Sequence, residues 1–146
     1  MKIYIYIGGK DKRDWAAEGI NHFIKLIKPY AEVKIEILSA DVVSTTRPSA
    51  LFARAPADCP AILLDRTGVQ YDSESFAARL LQAGQIGGKL AFFIGDHSGF
   101  SDEVLDAATN VISFSNMTFG HRLSILILLE QLYRCFDIRS GRKYHR

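Results

Sequence analysis

The stretch that decides the fold is "KLAFFIGDHSGFSDEVLDAATNVISFSNMTFG", Lys89 to Gly120. "KLAFFIG" is a short, continuously apolar run, the pattern of a strand covered on both faces. "GDHSGFS" is a glycine-containing turn. Ser101 then sits where a helix N-cap belongs, and Asp102 and Glu103 favour the positive end of the helix that follows. "VISF" is a second apolar run, so the unit reads strand, helix, strand. A parallel pair with a helical crossover is the simplest structure that satisfies it.

The same alternation extends in both directions. "KIYIYIGG" predicts a first strand ending at Gly8-Gly9. Asp14 to Lys28 carries apolar residues at helical spacing and stops before Pro29. "EVKIEIL" predicts a second strand and "AILLD" a third, with "LDRTG" as the loop after it. Between them Ala40 to Pro60 is weakly patterned, with "SALFARA" as its one helical candidate. Ser73 to Ala83 reads as a helix, and a last helix is predicted from about Gly120 to Phe136. The expectation is one α/β domain over residues 1–146, a parallel-rich sheet with helices on both faces. In such sheets ligands gather beyond the carboxyl ends of the strands. That places "LDRTG", "GDHSGFS" and "SFSNMTFG" together.

Composition narrows the function classes. The chain has 146 residues, 48% hydrophobic and 23% charged, with a formal net charge of +2. It is globular, and its total charge does not mark a nucleic-acid binder. The basic ending "RSGRKYHR" is either a handle for phosphates or a solvated terminus. Cys59 and Cys135 show no metal or redox spacing, the usual state of thiols in a cytoplasmic protein. The start lacks a signal-peptide pattern, and "LSILILL" is too short to span a bilayer, so no membrane is expected. His22, His97, His121 and His145 lack ligand spacing, so no metal is expected. Asp96, His97 and Ser98 are consecutive in a turn, which triad members rarely are, and no Gly-x-Ser-x-Gly elbow exists.

The segment Ser113 to Gly120 is uncharged but rich in hydroxyl and amide groups. It suits a loop that hydrogen-bonds a purine, with Met117 and Phe119 for apolar contact. It also suits a plain helix start capped by Thr118. Glu130 and Arg134 stand four apart, the spacing of a helix-face pair.

Taken together, "FFIGDHSGFSDEVLDAA" and "ISFSNMTFGHRLSILILLEQLYRCFDIRSGRKYHR" closely resemble the bacterial ribosomal RNA large subunit methyltransferase H family, within the SPOUT (α/β-knot) methyltransferases. The likeness is strongest from Leu90 to Arg146 and looser over "KIYIYIGGK", "AILLDRTG" and "DSESFA". The resemblance implies a C-terminal trefoil knot, a homodimer and S-adenosylmethionine as methyl donor. It implies methylation of N3 of a pseudouridine of 23S rRNA in the assembled ribosome. Carried over by position, the cofactor site is Leu64, Gly95, Ser115, Asn116, Met117, Thr118 and Phe119. Candidate catalytic residues are His121, Arg134, Tyr144 and His145, the tail of one chain closing over the cofactor of the other. The chain departs from the family at three places. Asp96 replaces a second glycine, Ile125 stands where Arg is common, and the Ala40–Pro60 segment is short. These departures keep a second reading open, a catalytically impaired SPOUT-fold protein that binds RNA or the ribosome. A third is an unrelated nucleotide-binding α/β module.

Overall fold

Apolar β-branched and aromatic runs become five strands of one sheet in the computed structural model, which describes residues 1–9, 15–85 and 88–144. The strands are β1 (Lys2–Gly8), β2 (Glu32–Leu38), β3 (Ala61–Gln70), β4 (Lys89–Ile94) and β5 (Val111–Ser113). Their order across the sheet is β2-β1-β4-β3-β5, and every pairing is parallel. The helices are α1 (Ala17–Ile27), α2 (Ala40–Val43), α3 (Pro48–Phe52), α4 (Ser73–Gln85), α5 (Asp102–Ala107) and α6 (His121–Arg139).

Side chains alternate across each strand, which divides the core in two. Ile3, Ile5 and Ile7 of β1, with Leu90, Phe92 and Ile94 of β4, face a layer made by α1, α4 and α6. Tyr6, Leu63, Ala91 and Phe93 face the opposite layer, where Val43, Leu51, Phe100 and Val104 pack. Both faces of the central strands are therefore dry, the reason their sequences are apolar throughout.

The predicted strand β2 matches the observed one in its bounds. Three elements differ from the sequence reading. "DRTG" is not a free loop: β3 continues to Gln70, its register against β5 shifting between Leu64 and Val69. A Cβ on Gly68 would lie 2.6 Å from the carbonyl carbons of Val111 and Ile112, so only glycine lets the two backbones meet at this bulge. α2 was not foreseen, a four-residue turn that seats Val43 under the sheet. α6 runs past Phe136 to Arg139, because Asp137, 1% exposed, is held there by the backbone N–H of Tyr144.

The register also sets the site. Leu64 pairs with Ile94 and with Ile112, so β3, β4 and β5 end in one row and their following segments converge.

Candidate functional site

Beyond that row lies a cleft of about 310 Å³. Its floor is Leu64 and Ile94, the last apolar residues before the strands lose their cover. One wall is the segment after β4. There Asp96 Oδ1 accepts the Ser98 N–H at 2.8 Å, and Ser101 caps α5, accepting from Val104 N–H at 3.3 Å while donating to the Thr45 carbonyl at 2.8 Å. A second wall is the bulge of β3, where Asp65 Oδ1 accepts both the Thr67 N–H (2.9 Å) and the Thr67 hydroxyl (2.6 Å). Short polar side chains shape these turns by bonding their own backbone.

The third wall is the segment after β5. Ser113, buried, donates to the Ser115 carbonyl at 2.8 Å, and Ser115 Oγ accepts the Met117 N–H at 3.1 Å. The hydroxyls thus fold the loop as well as line the cleft. Leu64, Gly95, Ser115, Met117, Thr118 and Phe119 all line it. Asn116 does not: its carboxamide turns aside and accepts from Gln70 Nε2 at 3.0 Å, tying the loop to the end of β3. Met117 is 73% exposed, an apolar side chain held out at the cleft mouth. Thr118 does not cap α6; the N-cap is Gly120, without a side-chain bond. Asp65, Thr67, Asp102 and Ser124 also line the cleft and were not among the sequence candidates. "DRT" at a strand end, an Asx-turn pattern, was the available signal for the first two.

The catalytic candidates fall in two places. His121 opens α6 beside the cleft: Ser124, one turn on along the same helix face, lines it. The His121 Nε2 atom is buried with no hydrogen-bond partner. Arg134 and Tyr144 meet elsewhere. Arg134 is ion-paired with Glu130, as the spacing predicted, and its guanidinium lies 4.8 Å from the centre of the Tyr144 ring. Tyr144 donates to Glu130 Oε1 at 3.1 Å and packs edge-on against Tyr133 at 4.9 Å. Desolvation, then the hydrogen bond to Glu130, holds the Tyr144 phenol above its ordinary pKa, so at neutral pH it is a donor. The bond to Glu130 likewise pushes the Arg134 guanidinium up. Glu130 is nine residues beyond His121, about 13 Å along the helix, so this cluster stands away from the cleft of its own chain. His145 lies outside the described residues.

Ile125 is completely buried in the apolar core and does not line the cleft. At this position an apolar side chain packs α6 on the sheet. Among the described residues no helix is long and apolar enough to cross a membrane, and no group of three metal-capable side chains occurs.

A family model described as "Predicted SPOUT methyltransferase" matches residues 1–145. A protein of Halothermothrix orenii named "Ribosomal RNA large subunit methyltransferase H" is 37% identical, the alignment covering all of both chains. The chain belongs to this family of SPOUT methyltransferases. A Rubrobacter xylanophilus protein of the same name is 39% identical, with 91% of each chain covered. A solved structure of a probable methylase family protein from Haemophilus influenzae superposes with a TM-score of 0.56 at 12% identity. The match covers 95% of this chain and 66% of that one, and it concerns the fold alone. The family assignment agrees with the observed parallel sheet, and methyl transfer is the activity of the family.

Proposed function

We propose that the chain methylates N3 of a pseudouridine in 23S rRNA, within the assembled ribosome, using S-adenosylmethionine. The observation that carries the reading is the cleft at the ends of β3, β4 and β5, lined by six of the seven residues expected to hold the cofactor. Full-length relatives named for ribosomal RNA methylation supply the substrate class.

The cleft fits the cofactor chemically. Its volume lies at the lower end of the range for small-molecule sites, about 300–1,000 Å³. Leu64, Ile94, Phe114 and Met117 offer apolar surface to a purine. Asp65, Asp96 and Asp102 line it as well, and carboxylates favour a ligand bearing a sulfonium and an ammonium. When bound, S-adenosylmethionine supplies an electrophilic methyl group. The remaining work falls to the chain: hold N3 in line with that methyl, and help the ring lose its N3 proton. Alignment alone is worth several kcal/mol, up to about 7–11 in well-oriented systems.

His121 is the candidate for the proton, because it opens α6 one turn before Ser124, which lines the cleft, although His121 itself does not. Arg134, Tyr144 and His145 belong to the RNA side of the reaction. A basic tail with an aromatic ring suits a phosphate backbone and an unstacked base. Since Arg134 and Tyr144 stand away from their own cleft, the reading pairs them with the cleft of a second copy, in a homodimer. The trefoil knot is part of the same proposal, supported by family membership and by the convergence of the three strand-end segments. A cytoplasmic location follows from a ribosomal substrate.

The test is methylation of intact ribosomes with methyl-labelled cofactor, followed by mass mapping of the 23S rRNA. Label at N3 of one pseudouridine is the expected result. Cofactor binding by calorimetry without any transfer to ribosomes would sink the reading and leave a binding protein.

A further inference from the structure

A buried carboxylate joins α6 to the tail that follows it. Asp137 is 1% exposed and comes directly after Cys135 and Phe136, which belong to the core. A carboxylate in such a place costs free energy unless it is hydrogen-bonded. Its Oδ2 accepts the Tyr144 N–H at 3.0 Å, and its backbone carbonyl accepts the Arg142 N–H at 3.2 Å. The chain has reversed just before, at Gly141, whose φ of 65° suits glycine. The tail therefore turns back along α6.

Three more side chains of the same helix hold Tyr144. Its hydroxyl donates to Glu130 Oε1 at 3.1 Å, the Arg134 guanidinium lies 4.8 Å from its ring centre, and Tyr133 packs edge-on at 4.9 Å. Glu130 and Asp137 are seven residues apart, two turns along one face of the helix and about 10 Å. One carboxylate takes the phenol of Tyr144 and the other its backbone. The bond to Asp137 is the buried one of the two, where water competes least. Tyr144 itself stays 42% exposed, so part of its ring is open to a ligand. All of these contacts lie within one chain, and α6 sets the place of Tyr144 before any partner arrives.

We propose that Asp137 is a positioning residue for the methyl transfer: by holding the Tyr144 N–H it fixes the tail in the pose in which Tyr144 meets the RNA base. This rests on the methyltransferase reading above. Asp137 does not line the cleft, and its effect on the reaction passes through Tyr144. What the role requires is an acceptor, not a negative charge. An amide oxygen in the same place can take the same N–H, whereas an alanine leaves that donor unpaired.

Three measurements decide it. The first is hydrogen exchange at the Tyr144 amide, followed by NMR in tyrosine-labelled protein and assigned by loss of the signal in Tyr144→Phe. Wild type is expected to exchange about tenfold or more slowly than an unstructured peptide, and Asp137→Ala at close to the peptide rate. The second is single-turnover methylation of ribosomes. Asp137→Ala should be slower by about tenfold or more, with its affinity for S-adenosylmethionine within about twofold of wild type. Asp137→Asn should recover most of the rate. The third places Asp137→Ala in the protein lacking Lys143 to Arg146, where it should slow the residual reaction by less than about twofold. A wild-type Tyr144 amide that exchanges at the peptide rate overturns the anchoring, even where the alanine variant does not fold. A full rate in Asp137→Ala overturns the role in the reaction. A loss in the tail-deleted protein as large as in the full chain makes Asp137 a support of the fold alone and overturns it too. If wild-type protein labels no rRNA, the function proposed above fails instead, and the exchange still decides the anchoring.

Discussion

Gly68→Ala is the substitution whose cost the structure sets most clearly. The new Cβ would stand 2.6 Å from two carbonyl carbons of β5 and 2.7 Å from the Ile112 nitrogen. All three are backbone atoms, so no rotamer change relieves the clash. An ordinary contact needs roughly 0.8 Å more, and β5 must move by that amount from β3. Forced overpacking of this kind costs about 1–3 kcal/mol. The pairings of Val69 with Ile112 and of Gln70 with Ser113 suffer too, at about 1 kcal/mol for each ladder hydrogen bond lost. A total near 3 kcal/mol lowers Tm by about 10 °C in a chain of 146 residues. Because Ser115–Phe119 follows directly from β5, affinity for S-adenosylmethionine should fall with stability. Urea denaturation and titration calorimetry read the two effects. Gly120→Ala is the control: nothing lies within 4 Å of its Cβ and its φ is −59°, so a loss below about 1 kcal/mol is expected. A Gly68→Ala protein with the wild-type Tm and cofactor affinity would refute the argument that the bulge of β3 is what places the cofactor loop.

Burial pushes the Cys135 thiol up to about 12, against 9.0 for a free one. The folded state therefore holds its proton more tightly, and the stability this supplies is present below pH 9 and is lost as pH rises toward 12. Between pH 8 and 10.5 wild type should lose about 2 kcal/mol more than Cys135→Ala in urea titrations; parallel losses would contradict it. Deleting Lys143 to Arg146 takes the Tyr144 N–H away from the buried Asp137 carboxylate and should cost about 1–3 kcal/mol of stability. Ribosome methylation should fall by about a hundredfold or more, with cofactor affinity nearly unchanged; a full rate would reduce the tail to a solvated end. Sedimentation at micromolar concentration should show a dimer, and a monomer would count against a shared site.

The sheet was legible because its strands are apolar on both faces, a pattern that needs no tertiary information. β3 was legible only as far as Asp65. "DRTG" has the composition of a turn, and Asp65 does fold back on Thr67, but pairing with β5 then carries the strand on. Local chemistry and long-range pairing both operate there, and only the first is written in the residues nearby. The end of α6 was misjudged for a related reason: Asp137 reads as a polar terminus, yet it is buried beneath Tyr144 by a turn through Gly141, whose φ is 65°. The hydroxyl-rich loop could be read from resemblance, and its residues do meet in one cleft. Asn116 shows the limit of that reading, since a residue within a matching run can serve the loop's own structure. The placing of Asp96 and His121 beside Gly9 was not readable at all. It depends on the register of β1 with β4 and on the entry of α6, which bring positions 9, 96 and 121 to one point.

The separation of the two groups of candidate residues leads to a test that a tail acting in its own chain would fail. His121 and the cleft stand at one end of α6, and Arg134 with Tyr144 stand about 13 Å or more along it. In the proposed dimer each complete site takes a cleft from one protomer and a tail from the other. Two inactive proteins should then rescue each other: one lacking Lys143 to Arg146, and one whose cleft is damaged by Thr118→Trp. After unfolding and refolding together in equal amounts, about half of the dimers are mixed, and each mixed dimer holds one undamaged cleft facing one intact tail. Activity should return to about a quarter of the wild-type level. Cofactor titration of the same mixture should find about half of the clefts competent, because the tail-deleted protomer keeps its cleft. If tail and cleft acted within one chain, no mixed dimer would hold both, and the mixture would stay inactive while binding cofactor to the same extent. Mixed dimers confirmed by mass spectrometry but showing no rescue would place the catalytic tail in cis and remove the shared site.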